Sequence, residues 1–142
     1  MASTAPTIGV GVVIIRDRSV LLIRRGQPPN MGQWSIPGGR QEWGETVRET
    51  GVREVREETG LDVELLDMIG VFDGIGRSPD GTVTWHYTLV DFVARWAGGE
   101  PVAGGDAASV AWVPRDRLPS LGLWSETLRA IDLAFAKLDQ EP

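Results

Sequence analysis

Glu54, Glu57 and Glu58 stand close together in a stretch that reads as helix, and their spacing could do metal chemistry. At about 100° per residue, Glu54 and Glu58 project within about 40° of each other, and Glu57 lies about 60° from Glu54. Glu54 and Glu58 fall on the side of Val47, Gly51 and Val55, a narrow apolar stripe at four-residue spacing. A merely solvated charged face would put acids opposite that stripe and pair them with bases one turn away. Arg53 with Glu49 or Glu57 fits that description, and the projection puts Arg53, Glu49 and Arg56 on the far side. Glu54 and Glu58 do not fit it, because like charges one turn apart repel and both border the buried side. Acids converging at a half-buried edge need a cation to offset them, and an all-oxygen set points to Mg²⁺ or Mn²⁺.

The helix that must position these acids is signalled at both ends. Thr46 followed by Glu49 forms a capping box, in which each side chain satisfies a backbone donor left open at a helix start. Gly60 is the stop. Gly51 sits inside the helix, where glycine costs about 1 kcal/mol relative to alanine, so a close approach of another backbone is expected there. Upstream, Pro37-Gly38-Gly39 predicts a tight turn that brings backbone close to a ligand.

Taken together, Gly39, five residues, Glu45, seven residues, Arg53-Glu54-Val55, one residue, Glu57-Glu58, one residue, Gly60-Leu61 resembles the complete signature of the Nudix hydrolases. The preceding Trp34 to Gly39 and the total length are similar to that family as well. Gly51 departs from the alanine usual there. The resemblance implies an α/β fold, an α/β/α sandwich with a mixed, curved sheet, as a single domain over residues 1–142 with a flexible 1–6. It implies hydrolysis of a nucleoside diphosphate linked to another moiety X, with Mg²⁺ or Mn²⁺ held by Glu54, Glu58, Glu57 and the carbonyl of Gly38. Gly39, Glu45 and Gly60 then serve the architecture of the box. Arg53 orients the glutamates through Glu57 or Glu45. The general base is Glu57 or an acid in a later loop, Asp106 first and Glu100 second. Segments such as VLLIRRGQPPNMGQWSIPGG and GEPVAGGDA resemble small bacterial ADP-ribose pyrophosphatase-like members. The favoured substrate is therefore ADP-ribose or a related nucleoside diphosphate sugar. The alternatives are a (d)NTP pyrophosphohydrolase clearing oxidised nucleotides, and a non-catalytic nucleotide sensor. A sensor need not keep Glu45, Glu54, Glu57 and Glu58, all of which are present.

The rest of the chain bounds the possibilities. Its 142 residues suit one domain with a real core. A net charge of −6 argues against a nucleic-acid backbone or an anionic membrane as partner. The absence of cysteine excludes disulfides and thiol catalysis. No basic leader or bilayer-length apolar run is present, so a cytoplasmic enzyme is expected. Ile8–Ile15 and Val20–Ile23 predict paired strands, with Arg24 and Arg25 at a strand end where a phosphate could be met. Residues 27–33 predict a loop. Asp62–Phe72 and Thr82–Ala94 predict strands flanking a loop over 73–81. Residues 96–105 predict a hairpin connection, 110–113 a strand, and Ser125 the cap of a closing helix whose apolar side is Leu128, Ile131, Leu133, Phe135 and Leu138. His86 is assigned a structural place. Trp34, Trp85 and Trp112 are expected in the core, while Trp43, Trp96 and Trp124 lie where they could stack on a base. A homodimer could use the N-terminal strand or exposed tryptophans.

Overall fold

The computed structural model describes residues 5–28 and 30–139; the expectation for residues 1–6 falls mostly outside them, as does Pro29 of the 27–33 loop. The β-branched runs fold as β1 (Thr7–Arg16) and β2 (Ser19–Arg25), joined by a tight turn at Asp17 with φ of 55°. Two short strands follow, β3 (Trp34–Ser35) and β4 (Gly38–Arg40), then helix α1 (Val47–Thr59). Two long strands, β5 (Leu65–Arg77) and β6 (Val83–Arg95), precede β7 (Ala107–Pro114), a 3₁₀ segment (Arg115–Leu121) and α2 (Ser125–Asp139).

The strands form one mixed sheet in the order β3-β2-β1-β6-β5, with β4 also on β1 and β7 also on β2. Among the described residues, only β1 and β6 run parallel, from Thr7 opposite Tyr87 to Ile15 opposite Arg95. Alternate residues of β1 feed two cores. Val10, Val12 and Ile14 pack with Val55 and Leu61 of the α1 side, whereas Val13 and Ile15 pack with Ile131, Ala134 and Phe135 of α2. The result is the expected α/β/α sandwich.

Several local expectations are corrected. Pro37-Gly38-Gly39 is not a tight turn: Gly38 and Gly39 pair with Gly11 and Val10 as part of β4. Their missing side chains matter because a Cβ on Gly38 would strike the Val10 carbonyl, and one on Gly39 would strike the Glu54 carboxylate. Gly51 is approached by side chains, not backbone: a Cβ there would lie 3.2 Å from Val12, 3.3 Å from Leu65 and 3.4 Å from Val10. Residues 73–77 are strand, and the turn is confined to 78–82, where Asp80 accepts from Ser78 Oγ and from the Thr82 amide at 2.9 Å. The 96–105 segment is no hairpin connection, since β7 pairs with β2 and not with β6. Ser125 is the first residue of α2, preceded by Trp124, whose carbonyl accepts from Leu128. Leu133 is exposed, and Ala130 and Ala134 take the buried places. Trp85 is 52% exposed, unlike Trp34 and Trp112, which pack against the two cores.

Candidate active site

The acids are placed by α1. Thr46 Oγ1 accepts from the Glu49 amide at 3.1 Å, and the Glu49 carboxylate accepts from the Thr46 amide at 2.9 Å, so the capping box is complete. At the other end Gly60 takes φ of 73° and its amide bonds the Arg56 carbonyl. The last turn is closed from outside: the Val102 amide donates to Thr59 O at 2.8 Å and the Gly104 amide to Glu58 O at 3.1 Å. These bonds fill carbonyls that every helix end leaves open, and they fasten the 100–106 loop over the acids.

Glu58 is 4% exposed and accepts from the Gly38 amide at 2.8 Å. Burial pushes its carboxyl up to about 7, with the Glu54 charge adding and the Gly38 amide and Arg25 opposing. Glu54 lies across Gly39 and is also raised, mainly by burial, against the pull of Arg53. Asp106 sits in the turn before β7, and its charge contributes to the rise at both acids. Glu57 stands further out, with its side chain 51% exposed and 3.2 Å from Arg53.

Arg53 is the hub of this edge. The ideal projection turned it to the far side, yet its long side chain reaches back among the acids. Its Nε donates to Glu45 at 2.7 Å, a second nitrogen to Glu45 at 3.0 Å and to the Arg40 carbonyl at 3.0 Å, and the third to Glu54 at 2.9 Å. It thus engages both Glu45 and Glu57, not one of them. Glu45 is held at about 2 by Arg53 and by the Thr50 hydroxyl, which donates to it at 2.7 Å. Thr50, fully buried, was not singled out by sequence; its position one turn after the cap, facing Glu45, was the available signal.

The two basic candidates separate. Arg24 is exposed, with Nε bonded to Gly32 O at 3.0 Å, which holds the 26–33 loop. Arg25 is half-buried, and its charge opposes the rise at Glu58. Trp43 is wholly exposed and borders a cavity of about 340 Å³ with Thr7, Ile8 and Gln41. Trp96 is tied to Trp112, edge to face at 6.3 Å, beside Arg16, at the opposite end of β1. A cavity of about 360 Å³ there is lined by Arg16, Arg95, Trp96 and Phe135 and touches none of the acids. Trp124 and Trp85 both lie over Gly74, and Trp85 is 6.4 Å from the half-buried Tyr87. His86 lies in β6 opposite Ile75.

The donor chemistry suits a hard divalent cation: buried Glu58 and half-buried Glu54 are like charges one helical turn apart, both raised chiefly by burial, with the Gly38 amide, Arg53 and Arg25 opposing. As they stand, no three acids among the described residues are gathered tightly enough to enclose an ion. Glu57 would have to turn from Arg53 to complete the set.

The chain is 37% identical over 123 residues to the ADP-ribose pyrophosphatase of Methanocaldococcus jannaschii, covering 87% of this chain and 70% of that one. It is 34% identical over 115 residues to a putative 8-oxo-dGTP diphosphatase of Bacillus subtilis, covering 80% and 70%. Of other curated relatives it spans as little as 37%. Among solved structures, a MutT NUDIX hydrolase from Burkholderia pseudomallei superposes with a TM-score of 0.79 at 31% identity, covering 91% and 98% of the two chains. The NUDIX domain description matches residues 5–133, which leaves little of the chain outside it: this protein belongs to the Nudix hydrolase family and is a pyrophosphohydrolase.

Proposed function

We propose that the protein cleaves the pyrophosphate bond of ADP-ribose or a related nucleoside diphosphate sugar, in the cytoplasm, with Mg²⁺ or Mn²⁺. The observation that carries the chemistry is the pair Glu54 and Glu58, one half-buried and one buried, lying against β4 with both carboxyls raised chiefly by burial. The 37% identity to an ADP-ribose pyrophosphatase favours the substrate class. Nudix hydrolases generally use divalent metal ions, and here Glu54, Glu58, the Gly38 carbonyl and a redirected Glu57 would hold them. Bound there, such an ion would offset the charge of the diphosphate and supply Lewis acidity to the attack of water.

The chain's own residues do the rest. Arg53 keeps Glu54 at a fixed bearing from the anchored Glu45. Glu57 or Asp106 takes the proton of the attacking water. Arg25 lies where it can meet a phosphate, with Arg24 behind it holding the loop. Water adds to one phosphorus and the bridging oxygen leaves with the other, giving a nucleoside monophosphate and phosphorylated X. The exposed Trp124 and Trp85, with half-buried Tyr87 beside Trp85, offer a stacking surface for a base, and Trp43 a second at the box loop. That aromatic group, with the 8-oxo-dGTP diphosphatase relative, is what favours the second reading, an oxidised-nucleotide pyrophosphohydrolase.

A panel of ADP-ribose, other nucleoside diphosphate sugars, dinucleoside polyphosphates and ordinary and oxidised NTPs, assayed for phosphate release with Mg²⁺ or Mn²⁺ and a coupled phosphatase, separates these. Preference for the oxidised NTP would displace the ADP-ribose proposal. Two variants test the roles. Asp106→Asn is expected to lower kcat about 10²-fold with metal affinity unchanged if Asp106 is the base; an unaltered rate reduces it to a turn residue. Arg53→Lys should cost about 10–100-fold in turnover, because a lysine cannot engage Glu45 and Glu54 together; a rate within twofold of wild type would refute the orienting role.

A further inference from the structure

Thr50 lies early in α1, fully buried, and its hydroxyl has one proton with two acceptors in reach. Glu45 Oε1 is at 2.7 Å and the Thr46 carbonyl at 3.0 Å. A threonine inside a helix commonly returns its proton to the carbonyl four residues back. Here that carbonyl already accepts from the Thr50 amide at 3.0 Å. Glu45 is nearer and charged, so the hydroxyl proton goes to the carboxylate in a charge-assisted bond. The same Oε1 accepts from the Glu42 amide at 3.1 Å and from Arg53 at 3.0 Å, while Oε2 accepts from Arg53 Nε at 2.7 Å.

From this we infer that the Thr50 hydroxyl is a positioning group for the reaction. It fixes the Glu45 carboxylate, through that the Arg53 guanidinium, and through that Glu54, an inference that rests on the orienting role proposed for Arg53. Glu45 precedes the Thr46 cap, so helical backbone does not set its place relative to α1. The fork between Glu45 and Arg53 joins two long side chains that can swing together on their stems. The Thr50 hydroxyl sits on the β-carbon, one bond from the α1 backbone, in a branched side chain with few rotamers. It therefore pins Oε1 from a rigid point, while the Glu42 amide holds the same oxygen from the loop. Arg53 then meets a carboxylate tied to both loop and helix, and its remaining nitrogen reaches Glu54 at 2.9 Å from a fixed base. Thr50 touches none of the reacting atoms; its effect reaches them along this chain of bonds.

Three substitutions separate the hydroxyl from its surroundings. Thr50→Val keeps the branched shape and loses the hydroxyl, Thr50→Ala loses both, and Thr50→Ser keeps the hydroxyl. With Mg²⁺ and either ADP-ribose or 8-oxo-dGTP, Thr50→Val and Thr50→Ala are each expected to lower kcat about tenfold, with KM changed less than about twofold. Thr50→Ser should stay within about threefold of wild type. In the Arg53→Lys background Thr50→Val should cost nothing further, because the two act in series. In the metal-free protein, the Arg53 Nε–H resonance should exchange with water several-fold faster in Thr50→Val than in wild type or Thr50→Ser. Circular dichroism verifies that each variant folds. Arg53→Lys at the wild-type rate would remove the orienting role and this inference with it. With Arg53→Lys impaired, four results would each overturn the role of Thr50 alone. These are a Thr50→Val kcat within about twofold of wild type, Thr50→Ser as slow as Thr50→Val, a further tenfold loss in the Arg53→Lys background, or unchanged exchange at Arg53.

Discussion

Glu58→Gln is expected to lower metal-dependent turnover at least about 10³-fold, equivalent to about 4 kcal/mol, while making the metal-free protein more stable. Both effects follow from one placement. Glu58 is 4% exposed, and its neighbour one turn back is another acid, so the folded protein bears a desolvated charge it does not fully compensate. Glutamine keeps the oxygen that accepts from the Gly38 amide and removes the charge. The expected gain is about 1–2 kcal/mol, a rise in melting temperature of several degrees for a domain of this size. Added Mg²⁺ should stabilise the wild type and leave the variant unmoved, because only a native state that binds the ion gains from it. Calorimetric scans with and without Mg²⁺, beside the turnover assay, check all three. A variant that retained near wild-type rate would remove Glu58 from the metal ligands. A variant less stable than wild type would mean that burial is already offset by groups around the carboxylate.

How much of this was legible in the sequence depended on distance along the chain. The start and stop of α1 were readable because capping is local: Thr46 and Glu49 bond each other across three residues, and Gly60 alone supplies the left-handed turn. The position of Glu54 and Glu58 beside the apolar stripe was readable from helical period. Arg53 was not, because its direction is fixed by the 40–45 segment folding back along the helix, and a projection of α1 alone contains no Glu45. Residues 73–77 were misread for a related reason. Gly74 and Gly76 look like loop, but each makes room for the Trp85 indole from the paired strand, a cross-strand fit that local propensity cannot register. The same fit leaves Trp85 lying along the sheet with one side open, so an aromatic residue in a convincing strand is half exposed. Gly38 and Gly39 were correctly singled out for close approach, though what approaches is β1 and the Glu54 carboxylate.

Asp91 carries the second large effect, and sequence reading passed over it as one polar residue in an apolar strand. It lies in β6 at 6% exposure, with Gly11 opposite on β1 and Gly70 opposite on β5, and Ile36 close by. Its carboxyl is pushed up to about 6 by burial, opposed only by the Gly11 amide. A raised acid binds its proton more tightly folded than unfolded. Its contribution is therefore fully present below the unfolded value near 3.8, lost as pH rises towards about 6, and a constant deficit above that. The shift of roughly two units corresponds to about 3 kcal/mol at most. Asp91→Asn should abolish this dependence, since the amide oxygen can still accept from Gly11 and no charge forms. The expected result is a variant more stable than wild type by up to about 3 kcal/mol at pH 8, and nearly equal to it at pH 4. Urea unfolding at the two pH values measures the difference directly. A gap of the same size at both would show that the deficit at Asp91 is one of packing, not of ionisation. A variant destabilised at pH 8 would show that the carboxylate charge is compensated in the fold.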